Sequence, residues 1–152
     1  MKRSTRMGKI ADVNLAIEKA ASASFATVAS QFQFHENQLK QLMIYRAEYQ
    51  EKHKEKLKNS TSINQIRDYQ HFSTTLDKAI EQQKQMVDEI ERQLEYCRTN
   101  WLEKKQDTEK ISRVTEKFRL RETADQIKAE QKESDELSLQ RLYLERSRLS
   151  SQ

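Results

Sequence analysis

From Ile66 onward the chain places seam residues at alternating steps of three and four: Ile66, Tyr69, Ser73, Leu76, Ile80, Gln83, Val87, Ile90, Leu94, Cys97, Trp101, Lys104, Thr108, Ile111, Thr115, Phe118. Eleven of these sixteen are apolar or aromatic, which is the a/d stripe of a left-handed coiled coil. The polar members Gln83 and Lys104 weaken the seam and pin its register. Earlier in the chain Phe25, Val28, Phe32, His35, Leu39, Leu42, Arg46 and Tyr49 form a matching stripe. Ile10, Val13 and Ile17 precede it in another phase, which implies one stutter between Ile17 and Phe25.

Five polar residues, Lys58, Asn59, Ser60, Thr61 and Ser62, separate the two stripes and are of a kind that stops helices. Ser62 followed by Gln65 is a capping-box signature for the start of the next helix. The pattern predicts an all-α protein: a helix over about 10–57, a turn over about 58–62 and a helix over about 63–145. The two helices form one antiparallel coiled-coil hairpin with an overhanging C-terminal helix. Residues 1–9 are expected to be a basic flexible tail and 146–152 a frayed one. A reversal near residue 60 sets Tyr49 level with Phe72, Tyr45 with Leu76, Leu42 with Ala79, and Trp101 beside Ala20 and Ala21. Because the seam is satisfied within one chain, a monomer is expected.

Composition agrees with long helices. There is no proline, and the single glycine is Gly8; 35% of residues are hydrophobic and 34% charged, too little apolar material for a wide core. The net charge of +4 arises from 28 Lys/Arg interleaved with 24 Asp/Glu, without the segregated basic stripe of a nucleic-acid binder. Residues 1–64 hold 11 Lys/Arg against 6 Asp/Glu, so the surplus lies early, much of it in Lys2, Arg3, Arg6 and Lys9. No apolar run reaches the roughly 20 residues of a membrane span. The lone Cys97 has no partner in the chain for a disulfide and reads as a small seam hydrophobe.

Catalytic chemistry is not expected. His35, His53 and His71 have no metal-ligand spacing, one glycine cannot build a phosphate loop, and two rods offer no pocket for a nucleophile. The expectation is no enzyme, no metal and no cofactor. Charges on the solvated faces suggest helix-spaced pairs such as Asp88 with Arg92.

One region carries more apolar surface than a seam can hide. Leu39, Leu42, Met43, Ile44, Tyr45 and Tyr49 point in several directions, and Phe72, Ala79 and Met86 recur one position ahead of the second seam. They predict a belt around the hairpin near its tip, fit for binding protein. Beyond Phe118 a sparse face of Leu120, Ala124 and Ile127 is expected to be frayed alone and ordered by a partner.

Three groups of residues together resemble the flagellar export protein FliJ family over about residues 10–142. The first is Gln38-Leu39-Lys40, Leu42, Tyr45 and Tyr49. The second is Tyr69-Gln70, Phe72, Leu76, Lys78-Ala79-Ile80 and Gln82. The third is Trp101-Leu102-Glu103-Lys104-Lys105. The resemblance implies a stalk-like part of the bacterial flagellar type III export apparatus, similar to the central subunit of rotary ATPases and needed for flagellum assembly and motility. Its implied partners are the hexameric ring of the export ATPase FliI, the export gate protein FlhA, and export chaperones that it escorts. Carried over by position, the gate-binding residues are Gln38, Leu42, Tyr45, Tyr49, Phe72, Leu76 and Ala79. The rotary likeness makes Leu120, Ala124 and Ile127 an ATPase-binding tail. It also implies a cytoplasmic site at the inner face of the cell membrane, reached through the apparatus alone. Rival readings are a stalk of a virulence-type secretion system and a generic coiled-coil tether.

Overall fold

The computed structural model describes residues 2–59 and 62–151. They form two helices, α1 (Arg3–Lys58), of 56 residues, and α2 (Ile63–Ser150), of 88, with no strand among the described residues. The chain is all-α. Ser60 and Thr61, at the centre of the expected turn, lie outside the described residues, as do Met1 and Gln152. The start of α2 follows its local signal: the Ser62 hydroxyl accepts the Gln65 N–H at 3.3 Å and the Ser62 carbonyl accepts the Ile66 N–H at 3.2 Å.

Two compact units emerge from the contacts, Ile17–Lys105 and the pair of segments Met1–Ala16 and Gln106–Gln152. In the first unit, Leu76, Ile80, Val87 and Ile90 of α2 are buried together with Ala21 of α1. Each α2 residue in that set occupies a predicted seam position. The partners run in opposite order along the two helices. Phe25 stacks on Trp101 with ring centroids 5.8 Å apart, the Gln83 amide donates to the His35 carbonyl at 2.9 Å, and Tyr49 stacks on Tyr69 at 5.4 Å. Trp101 therefore meets the aromatic ring of Phe25. Helical side chains lean toward their own N-terminus, so the rings of Phe25 and Trp101 lean toward each other from either side.

The structure corrects the stutter. In α1 the less exposed positions are Ser4, Met7, Ala11, Asn14, Glu18, Ala21 and Phe25, continuing through Val28, Phe32, His35, Leu39, Leu42, Arg46 and Tyr49 to His53. That is one unbroken heptad phase. Ile10, Val13 and Ile17 fall outside it, at 48%, 62% and 43% exposure. The reason lies on the other helix, whose seam keeps a single phase from Ile66 to Glu122. A stutter in α1 alone would rotate its stripe away from that partner, so mostly small and polar residues, with Met7, occupy the seam and the three aliphatics face outward.

In the second unit, Ser4, Met7, Ala11 and Asn14 share the half-buried seam with Thr108, Ile111, Thr115, Phe118 and Glu122. Helix α1 starts at Arg3, not near Ile10. The Glu122 carboxylate accepts the Ser4 N–H at 3.1 Å and the Ser4 hydroxyl, and the Arg3 guanidinium lies over the Phe118 ring at 5.8 Å. The first turn of α1 holds no acidic residue, so Glu122 supplies from the other helix the carboxylate that its unpaired N–H groups favour. Helix α2 continues to Ser150, past the expected 145, with residues 123–150 exposed throughout.

Candidate protein-binding surface

The predicted belt assembles on the unit Ile17–Lys105. Heptad spacing puts Tyr49 and Tyr69 on facing seam positions, and Tyr45 and Phe72 one residue ahead of the seam on their helices. Tyr49 is the hub: its ring lies 4.4 Å from Phe72, 4.1 Å from His53 and 5.4 Å from Tyr69, stacked on the last with ring planes 8° apart. Tyr45 meets Phe72 edge to face at 6.1 Å. Beside them Arg46 reaches Asp77 at 3.3 Å.

Exposure sorts these residues into two layers. Leu76 is buried at 7%, and Leu42, Tyr49, Phe72 and Ala79 are half-buried. Tyr45, at 49%, and Gln38 are exposed. Leu76 and Tyr49 thus support a surface on which Tyr45, Gln38 and the outer edge of Phe72 are presented. Burial, helped by the neighbouring phenols of Tyr69 and Tyr45 and the Asp68 carboxylate, pushes the Tyr49 phenol above its ordinary range. His53 and Tyr69 extend the stack and belong to the site, although periodicity gives Tyr69 only a seam role and the first-helix stripe stops at Tyr49. The signal for them was the recurrence of aromatic and imidazole rings at 45, 49 and 53 facing 69 and 72.

Leu120 and Ile127 stand 59% and 51% exposed, and Ala124 is exposed, all in the other unit. Further along that helix Leu139, Leu142, Tyr143 and Leu149 are equally open, an apolar set that the decaying heptad concealed. Cys97 is half-buried in the seam. Among the described residues no group of three or more His, Cys, Asp or Glu could hold a metal, and no helix is long and apolar enough to cross a membrane. Of the surface charges, Arg92 donates to the Asp88 carbonyl at 3.4 Å rather than to its carboxylate, whereas Glu36 with Lys40 and Glu116 with Arg119 form ion pairs.

The model of the flagellar FliJ protein family matches residues 2–147. The chain belongs to the FliJ family. Family membership makes it a component of the flagellar export apparatus and ties it to protein transport. The match extends beyond the residues that carry the resemblance, into the first turn of α1 and through most of the exposed part of α2. No curated protein and no solved structure matches the chain.

Proposed function

We propose that the protein is a non-enzymatic stalk of the export apparatus, an antiparallel coiled-coil hairpin that links the export ATPase FliI to the export gate FlhA and escorts export chaperones. The observation that carries this reading is the layered aromatic belt, in which Tyr45 is exposed against Phe72 on a rigid base of Tyr49 and Tyr69. Rigid, partly exposed aromatic rings are the residues from which protein interfaces draw most of their energy. The gate is the partner assigned to this belt, through Gln38, Leu42, Tyr45, Tyr49, Phe72, Leu76 and Ala79. The ATPase ring is assigned to the exposed part of α2, beginning with Leu120, Ala124 and Ile127, where a helix that buries nothing gains order by docking. In this reading the protein works in the cytoplasm at the flagellar base and flagellum assembly and motility depend on it. Mixing it with the purified ATPase, and separately with the cytoplasmic part of the gate, tests the proposal. Complexes with both are expected; a chain that binds neither is not a stalk between them.

A further inference from the structure

Ile10 and Val13, displaced from the seam, form with Val114 a surface that the proposed stalk contacts do not use. In the unit formed by Met1–Ala16 and Gln106–Gln152, Ile10 and Val13 of α1 are 48% and 62% exposed and Val114 of α2 is 40% exposed. Each precedes a seam residue by one position: Ala11, Asn14 and Thr115. Where partners run in opposite order along two packed helices, such positions fall on one side of the pair. Tyr45 and Phe72, which stand in the same relation to the seam in the other unit and touch, show the rule at work.

The same positions carry Arg3, Arg6, Lys110, Lys117 and Arg121, with Asp107 the one acidic residue among them. The remaining acids of segments 2–16 and 106–122 lie elsewhere. Asp12, Glu109 and Glu116 follow the seam by one position, on the opposite side, and Glu122 is in the seam holding Ser4. Glu116 is also neutralised by Arg119 at 2.7 Å. These two segments together hold nine Lys/Arg against five Asp/Glu, and their bases are concentrated on the aliphatic side.

We infer that this face binds the surface of an anionic phospholipid bilayer directly. Its chemistry is that of an interfacial surface: short aliphatic side chains in the middle, long cationic ones around them, and acids turned away. A protein-binding site of the kind seen in the belt would hold aromatic anchors, and this face has none at its exposed positions. Lys and Arg can bury their methylene stems beside Ile10, Val13 and Val114 while their charged ends meet phosphate headgroups. The inference does not rest on the proposed gate and ATPase contacts, since it uses other residues.

The test is co-sedimentation of the full chain with vesicles of phosphatidylcholine alone or containing about 30% phosphatidylglycerol, at about 0.1 M salt. The expected result is binding at least about tenfold stronger to the anionic vesicles, lost on raising the salt to about 0.5 M. The triple variant R6Q/K110Q/K117Q should lose about tenfold, while K19Q/K54Q/K84Q, which removes equal charge from the other unit, stays within about twofold. Circular dichroism on both variants guards against unfolding. Absence of vesicle binding, or equal losses in the two variants, overturns the inference. So does binding to a polyglutamate peptide without binding to vesicles, which would reassign the face to an acidic protein.

Discussion

The carboxylate of Glu122 holds the backbone N–H and hydroxyl of Ser4, 118 residues earlier in the chain. Hydrogen bonds from Ser4 hold the Glu122 carboxyl below the usual carboxylate range, with help from the positive charge of Lys2 and the Arg3 N–H. The lowered folded-state pKa means that this contact stabilises the start of α1 above the unfolded value of 4.5 and is lost as pH falls through the folded value. The protection of the first amides of α1 against hydrogen exchange, relative to their intrinsic rate, should therefore fall in that acid window. Glu122→Ala should show the faster exchange already at neutral pH, with the belt unchanged.

The Gln83 amide donates to the His35 carbonyl at 2.9 Å and lies 3.2 Å from His35 Nδ1, a polar pair across the seam. Gln83→Ala removes both the bond and packing volume and is expected to cost about 1–2 kcal/mol in thermal or urea unfolding. Gln83→Leu restores the volume and should recover most of that loss. If Leu were as damaging as Ala, the hydrogen bond would outweigh the packing.

Partial burial, with the neighbouring Tyr69, Tyr45 and Asp68, holds the Tyr49 phenol above the ordinary phenol range. A phenol whose folded pKa exceeds its unfolded value of 10.0 contributes stability that is complete below that value and lost as pH rises through the folded one. Alkaline unfolding monitored by phenolate absorbance should show one late-titrating tyrosine. Tyr49→Phe should remove that transition while keeping the ring stack.

These features differ in how far the sequence disclosed them. The α2 seam was legible from Ile66 to Phe118 because its apolar residues are large and their spacing never slips. The α1 phase before Ala21 was not, since the large aliphatics Ile10, Val13, Leu15 and Ile17 all lie off it and the phase is dictated by the partner helix. Ser4, Asn14 and Glu18 give no hydrophobic signal. The start of α1 at Arg3 was equally hidden, because its cap is Glu122, which no local motif could reveal. In the belt, Tyr45 and Phe72 were visible as rings one position ahead of the seam. The burial of Leu76 follows from its own seam position, and the reach of the stack to His53 depends on ring orientations that spacing does not specify.

Residues 123–150 are exposed throughout. If that stretch is the ring-binding element, removing residues 123–152 should abolish stimulation of ATP hydrolysis by the export ATPase and leave gate binding intact. Hydrolysis measured against added protein checks this. Undiminished stimulation by the truncated chain would exclude the stretch as the ring contact.

The most direct measurement for the central claim compares Tyr45→Ala with Tyr49→Ala in two readouts, melting temperature and affinity for the cytoplasmic part of the gate. Tyr45 is 49% exposed and Tyr49 is the half-buried hub of the aromatic cluster. Tyr45→Ala should weaken binding about tenfold or more while changing stability by less than about 1 kcal/mol. Tyr49→Ala should cost about 2–4 kcal/mol of stability through the cavity it leaves. Gate affinity untouched by Tyr45→Ala, in a protein that melts at a lower temperature, would contradict the account and make the belt a thickened core.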